Sequence, residues 1–307
     1  MNKFILFPLA TMLLSCGGAP ASSSNESSAL SSDVPHKIEY SIPEDKDLVD
    51  TINANAEQYD VLNVSKVPNH PLEGKTIYWL GSSVTYGASS AGQAVADFLA
   101  AKSGCISKKE AVSGTTLFND GKTKNTGELS YVSRLLSSKA FDEHNDAVDA
   151  FVCQISTNDC TNDRLDKRGV MTAEDNFDLE SFDTATTLGA VEYIIGYVVE
   201  HFDCPVFFYS GSYFSDGSNG KSRQNNNPKG SEYGKLVSSV KDIAAKWDKR
   251  PGTDVRVIDL YNDQDFNAAA SDKYYGWAMN DPIHPKKAGY LQWWTPYFED
   301  ALCNEIG

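Results

Sequence analysis

A serine flanked by small residues stands where a strand-like segment meets a helix-like one. The heptapeptide GSSVTYG at residues 81–87 follows the apolar run 77–80 and precedes a helical pattern that begins near Ser90. Such a turn places a side chain at the carboxyl edge of a parallel sheet, where ligands bind in open α/β folds. Backbone N–H groups at the start of the helix can stabilise an oxyanion there. Ser83 is therefore a candidate nucleophile, and a phosphate-binding loop and a packing turn are the alternatives.

A nucleophilic serine needs a general base and a group that orients the base. His284 meets both needs, because it lies in the segment NDPIHP at 280–285 with Asp281 three residues before it. A turn of this length can bring the carboxylate to the imidazole, so one loop supplies the base and its orienter. Structural or tether roles are the simpler interpretation for the other four histidines: His36, His70, His144 and His201.

Two further polar turns follow predicted strands. Gly114 comes after the second strand and can present its N–H with no side chain in the way. Asn158 comes after the third strand, and its amide can donate a hydrogen bond into the same site. Taken singly, each also fits a bland role, as a turn glycine and a helix-capping asparagine.

These four blocks, in this order, resemble the SGNH (GDSL-type) hydrolase superfamily, in particular its bacterial branch whose first block reads GSSVTYG. The resemblance spans roughly residues 74–302. It implies that Ser83 is the nucleophile and that Asp281 and His284 complete a catalytic triad. It also implies an oxyanion hole made of the Ser83 N–H, the Gly114 N–H and the Asn158 side chain.

Two positions depart from the family pattern. Ser82 stands where the family usually has an aspartate that supports the turn, so the effect on the turn is an open question. The third block reads STND at 156–159 rather than GxND, so its glycine is missing while Asn158 and Asp159 remain. The segment 81–87 also lacks the lysine of a phosphate loop, which weakens that alternative.

The activity implied by the resemblance is ester hydrolysis through an acyl-enzyme, with no metal and no cofactor. A polar Gly/Asn-rich segment, 211–230, follows the fourth strand, with Tyr209, Tyr213 and Phe214 near its start. Such aromatics suit sugar stacking, although anchoring of the loop is the preferred interpretation for any single one. We therefore expect a short-chain, acetyl-type esterase acting on carbohydrate. The alternatives are a lipid or lysophospholipid acylhydrolase and a non-catalytic glycan-binding lipoprotein with a vestigial site.

Five strand-like segments alternate with helical ones to position these residues. The strands are predicted at 77–80, 110–112, 147–155, 206–209 and 255–260, and the helices at 92–101, 129–136, 188–201, 233–247 and 288–302. This alternation predicts an α/β three-layer αβα sandwich with a central parallel sheet of about five strands, the flavodoxin-like SGNH hydrolase fold. Residues 45–61 are expected to form a short helix and connector, and 211–230 a mobile loop at the carboxyl edge.

The N-terminus predicts export. A positive start and the apolar run 4–14 have the form of a signal peptide, and LLSC at 13–16 resembles a bacterial lipobox. We expect a lipoprotein signal peptide at 1–16, a flexible tether at 17–43 and the hydrolase domain at 44–307, with lipidated Cys16 as the membrane anchor at the cell surface.

Composition excludes two classes of partner. A net charge of −15 and a pI near 4.7 argue against nucleic acid and against electrostatic docking on anionic lipid. Beyond Cys16 there are five cysteines without CxxC spacing, which gives neither a metal signature nor a disulfide framework. Pairing among them is left open, as is the oligomeric state; the five are Cys105, Cys153, Cys160, Cys204 and Cys303.

Overall fold

The computed structural model describes residues 38–42, 53–119, 129–141, 147–212, 215–216, 222–223, 228–270 and 276–307. Cys16, with the predicted signal peptide and most of the predicted tether, lies outside these residues, as do Tyr213 and Phe214. No helix in the described ranges combines the length and apolar character needed to span a bilayer.

A sheet of five parallel strands forms the centre of the molecule, in the order β2-β1-β3-β4-β7. In chain order the strands are β1 Thr76–Gly81, β2 Ile106–Ala111, β3 Ala150–Gln154, β4 Val206–Tyr209, β5 Ser215–Asp216, β6 Ser222–Arg223 and β7 Val255–Ile258, of which β5 and β6 form a separate antiparallel pair. The inner strands β1, β3 and β4 are buried along almost their whole length. Their near-continuous apolar sequences are typical of parallel strands covered on both faces.

Helices cover both faces of this sheet. They are α1 Ser83–Tyr86, α2 Val95–Ser103, α3 Tyr131–Ser137, α4 Thr187–His201, α5 Pro228–Trp247, α6 Gln264–Ala269, α7 Lys287–Gly289, a π-helical turn Tyr290–Trp294 and α8 Thr295–Ile306; single 3-10 segments are Glu57–Tyr59, Val61–Asn63, Thr157–Cys160, Asn162–Lys167 and Leu179–Ser181. Successive residues of β1 point to opposite faces, and Tyr78 and Trp79 accordingly belong to two separate buried clusters. The predicted three-layer αβα sandwich with a parallel sheet is confirmed.

Element boundaries differ from the prediction where the sequence carries mixed signals. Strand β2 begins at Ile106, four residues before the predicted start, because its sequence ISKKEA is that of a half-exposed edge strand rather than an apolar run. Helix α5 begins at Pro228 rather than 233, and the first turn of a helix is where proline is tolerated. The predicted helix at 288–302 is divided by the π-helical turn. In the predicted helical region 45–61, residues 53–61 hold only 3-10 turns, and 45–52 lie outside the described residues.

The five cysteines left open by the sequence are free thiols. Cys153, in the middle of β3, is fully buried and packs as a small apolar residue.

Candidate active site

The segment 81–87, called here the nucleophile turn, comprises the end of β1 and the four-residue helix α1, which begins at Ser83. Gly81 ends the strand, and a Cβ at this position would lie 1.7 Å from Thr85 Oγ1. The Thr85 side chain therefore occupies the volume next to position 81, which requires glycine there. Ser83 is 9% exposed, so its side chain is largely covered by neighbouring residues.

Ser83, His284 and Asp281 form a continuous chain of hydrogen bonds. Ser83 Oγ lies 2.7 Å from His284 Nε2. On the other side of the ring, His284 Nδ1 lies 2.8 Å from Asp281 Oδ2 and 3.0 Å from Oδ1. A carboxylate can only accept, so Nδ1 carries the proton and Nε2 is left as the acceptor for the serine hydroxyl. This is the arrangement in which an imidazole acts as a general base on serine.

A tight turn holds the acid and the base together. The backbone N–H of Asn280 donates to the His284 carbonyl at 2.8 Å, and Met279 pairs with Pro285 as an antiparallel bridge. Asp281 Oδ1 also accepts from the backbone N–H of Ile283 at 2.8 Å and of His284 at 3.0 Å. The turn thus fixes both the carboxylate and the ring.

Burial of the Asp281 carboxyl and the hydrogen bonds that it accepts shift its pKa in opposite directions. Burial alone would raise the pKa, but the hydrogen bond from His284, the positive charge of that ring when it is protonated and the two backbone donors hold the pKa well below its usual value of 3.8. Asp281 is therefore ionised at every pH at which the protein is expected to work.

The Gly114 and Asn158 turns flank the nucleophile turn. Strand β1 lies between β2 and β3 in the sheet, so the turns that follow β2 and β3 meet the one that follows β1 at the same edge. Gly114 has a φ of +82°, and a Cβ there would meet no atom within 4 Å, so its backbone borders open space. Asn158 Nδ2 donates to the Thr115 carbonyl at 2.9 Å. An amide nitrogen carries two hydrogens, and the second one has no partner in the part of the chain that the structure describes.

The third block keeps its shape without the family's glycine. Ser156 stands at that position, where its hydroxyl donates to the Thr115 carbonyl at 3.1 Å and accepts from the Asn158 N–H at 3.1 Å. Asp159 accepts from the backbone N–H of Leu117 at 3.1 Å and from Thr187 Oγ1 at 3.1 Å. Complete burial raises the pKa of Asp159 to about 6, although these donors and Ser156 act against the rise.

Three buried polar residues support the nucleophile turn and the turn after β2; sequence reasoning missed Gln154 and Arg134 and gave Tyr209 a different role. Gln154 Oε1 accepts four hydrogen bonds from the nucleophile turn, two from the N–H groups and two from the hydroxyls of Ser82 and Thr85. Arg134, 3% exposed, donates to the Gly81 carbonyl at 2.7 Å and to Thr115 Oγ1 at 3.0 Å. Tyr209 is fully buried with its hydroxyl 2.6 Å from Thr85 Oγ1. The signal that could have identified the first two is a polar residue inside an otherwise apolar segment, AFVCQ for Gln154 and YVSRLL for Arg134.

The remaining aromatic and histidine candidates have structural positions. Tyr209 faces the interior and cannot stack on a sugar. His70 is 7% exposed and its Nε2 lies 2.7 Å from Glu299 Oε1. His201 stacks on Tyr197 with ring centroids 4.1 Å apart; His36 and His144 lie outside the described residues. Among the described residues, no group of three or more His, Cys, Asp or Glu side chains is placed to hold a metal ion.

No protein-family model matches the sequence, and no curated protein matches it. Solved structures do match. A protein from Lactobacillus plantarum is similar with a TM-score of 0.55 and 19% identity, over 76% of this chain and 99% of that chain. An active-site mutant of a family two carbohydrate esterase from Clostridium thermocellum is similar with a TM-score of 0.51 and 13% identity, over 76% of this chain and 64% of that chain. At such identities the likeness is one of fold. Together with the ordered motifs and the parallel sheet, it shows that this chain has the α/β fold of the SGNH (GDSL-type) hydrolases.

Proposed function

We propose that this protein is a serine esterase that removes short acyl groups, acetyl in particular, from carbohydrate. The observation that carries the proposal is the unbroken chain of hydrogen bonds from Ser83 through His284 to Asp281. This chain places the Ser83 hydroxyl 2.7 Å from an imidazole nitrogen at the carboxyl edge of a parallel sheet, where ligands bind in open α/β folds.

The geometry supports a two-step acyl transfer. His284 Nε2 takes the proton of Ser83 as the hydroxyl oxygen attacks the ester carbonyl, and Asp281 stabilises the resulting imidazolium. The carbonyl oxygen becomes an oxyanion, which the N–H groups of Ser83 and Gly114 and the free N–H of Asn158 stabilise. One such donor typically lowers the barrier by ~3 kcal/mol.

Collapse of the tetrahedral intermediate releases the alcohol, which takes the proton from His284, and leaves an acyl group on Ser83. Water then attacks the acyl-enzyme while His284 removes its proton. A second collapse restores the serine hydroxyl and releases the carboxylic acid. Every proton in this cycle moves through His284.

The substrate class rests on two weaker supports. The segment 211–230 that follows β4 is polar and rich in Gly and Asn rather than apolar, which suits a hydrophilic polymer better than a fatty-acyl chain. The neighbour from Clostridium thermocellum is described as a carbohydrate esterase. We further propose that the enzyme is exported and held at the membrane through a lipid on Cys16.

The test is a chain-length series of p-nitrophenyl esters, combined with acetate release from acetylated polysaccharides. We expect a maximum at two to four carbons and loss of turnover in Ser83→Ala with an unchanged circular dichroism spectrum. Unchanged turnover in Ser83→Ala would contradict the assignment. A maximum at eight carbons or more would favour a lipid acylhydrolase, and glycan binding without turnover would favour a binding lipoprotein.

A further inference from the structure

Helix α1, which begins at the proposed nucleophile, receives its N-terminal cap from a different strand. Ser82 occupies the N-cap position, yet its side chain makes no capping hydrogen bond. Oε1 of Gln154, the last residue of β3, accepts instead from the backbone N–H of Ser82 at 3.0 Å and of Thr85 at 3.2 Å. Those are the groups that an N-cap side chain and its neighbours normally satisfy.

The same oxygen also fixes a side chain of the helix. Thr85 Oγ1 donates to Gln154 Oε1 at 2.8 Å and lies 2.6 Å from the Tyr209 hydroxyl. Because backbone N–H groups can only donate, the atom that faces them must be the amide oxygen rather than the nitrogen. Gln154 is 2% exposed, so water does not readily replace this acceptor if it is removed.

We propose that Gln154 is the positioning residue of the nucleophile: its amide oxygen caps helix α1 from the adjacent strand and so fixes Ser83 against His284. The inference rests on the proposed esterase function. It also answers the question raised by Ser82, since a carboxylate at the N-cap position could cap the helix from within the turn, whereas here the acceptor comes from β3.

The test is Gln154→Met, which keeps the length of the side chain and removes the acceptor. We expect kcat for p-nitrophenyl acetate to fall roughly 10- to 100-fold, the range expected for a nucleophile displaced by a fraction of an ångström to 1 Å, with KM changed less than about threefold. We also expect faster hydrogen exchange in the peptide that covers residues 81–87, because two backbone donors lose their partner.

Gln93→Met is the matched control. Gln93 is half-buried; its Oε1 accepts from the backbone N–H of Val61 at 3.0 Å and its Nε2 donates to Asp60 Oδ2 at 2.9 Å. The same substitution therefore removes side-chain hydrogen bonds whose partners lie outside residues 81–87. We expect a lower melting temperature in this variant with kcat within about twofold of wild type. An equal loss of kcat in both variants would assign the effect to general destabilisation and overturn the proposal.

Ser82→Asp provides the rescue. A carboxylate at the N-cap can accept from the Thr85 N–H in place of the missing amide, so we expect Gln154→Met/Ser82→Asp to recover kcat at least about fivefold over Gln154→Met. A double variant no more active than Gln154→Met would overturn the capping explanation, and a Gln154→Met with wild-type kcat would overturn the positioning role.

These outcomes are separate from a failure of the esterase proposal. If the wild-type protein hydrolyses no ester, the proposed function fails, while exchange in residues 81–87 still reports on the cap. Unchanged exchange in Gln154→Met would then overturn the inference on its own.

Discussion

At the scale of single residues, the Asp281 carboxylate has two tasks that one substitution can separate. Its Oδ1 accepts from the backbone of the turn, and Oδ2 is the oxygen closer to the imidazole Nδ1, at 2.8 Å against 3.0 Å for Oδ1. In Asp281→Asn the amide oxygen can keep the backbone bonds while the amide nitrogen faces His284 Nδ1. The amide N–H and a protonated Nδ1 would both be donors, so Nδ1 gives up its proton and accepts from the amide. The ring then carries its proton on Nε2.

We therefore expect Asp281→Asn to lower kcat roughly 10³- to 10⁴-fold, because a protonated Nε2 cannot accept the Ser83 proton. The melting temperature should change little, since the backbone bonds of the turn survive. Steady-state kinetics with p-nitrophenyl acetate and a thermal melt measure the two effects. A variant with near wild-type kcat would show that the carboxylate does not set the state of His284.

The side chains that form the hydrogen-bonded chain from Ser83 to Asp281 could be predicted from the sequence, whereas the contacts of the buried polar residues that support them could not. Ser83, His284 and Asp281 stand in short turns whose residue types and spacing are specific to nucleophilic chemistry. Gln154 and Arg134 act through contacts between elements that are 69 and 53 positions apart along the chain. Nothing local in the sequence predicts which backbone groups such a side chain will meet.

At the scale of elements, Asp159 connects the turns that follow strands β2 and β3 to helix α4. It accepts from Leu117, which follows the Gly114 turn, and from Thr187 at the start of α4. The pKa of this buried carboxyl is raised from 3.8 to about 6, so between about pH 4 and pH 6 the folded protein binds a proton that the unfolded chain does not. The contribution of Asp159 to stability is accordingly fully present below about pH 4 and is lost as the pH rises through about 6.

Asp159→Asn removes this titration, since the amide stays neutral. We expect the free energy of unfolding of wild type, relative to that of the variant, to fall by roughly 2–3 kcal/mol from pH 4 to pH 7. Urea denaturation of both proteins at the two pH values measures it, and the comparison cancels every titration that the two proteins share. A difference that stays constant between pH 4 and pH 7 would show that Asp159 ionises at its ordinary pKa.

The element boundaries show where local pattern fails. The buried strands β3 and β4 lie within the predicted runs because both faces are apolar. The edge strand β2 carries charged residues that are half-exposed, and its pairing with β1 decides its length, which a one-dimensional pattern does not contain. The last helix is divided by a π-helical turn, Tyr290–Trp294, and Pro296, which has no N–H to donate to the preceding turn, stands in the first turn of the helix that follows it.

At the scale of the whole molecule, a buried ion pair joins helices α4 and α5 and holds residues 172–182, which precede α4, against them. Lys246 on α5 and Glu192 on α4 are both fully buried, with Nζ 2.6 Å from Oε1. Both side chains also bond Thr172, and the Lys246 ammonium lies over the rings of Phe177 and Phe182. These contacts fasten residues 172–182 to the two helices.

Removing one partner of such a pair should lower the free energy of unfolding by far more than the intact pair raises it. Lys246→Met leaves the Glu192 carboxylate buried without its cation, and we expect a loss of about 3–5 kcal/mol in the free energy of unfolding. In Lys246→Met/Glu192→Gln the charge is gone while the amide oxygen can still accept from Thr172, so the double variant should be more stable than the single one. Urea unfolding followed by tryptophan fluorescence measures both.

Lys249→Met is the surface control for this comparison. Its partner Glu174 is 61% exposed, and Lys249 itself is 69% exposed, although the two atoms are only 2.9 Å apart. Water screens such a pair, so we expect a change below about 0.5 kcal/mol. If Lys246→Met were as mild as Lys249→Met, the buried pair would not be what holds residues 172–182 to the helices.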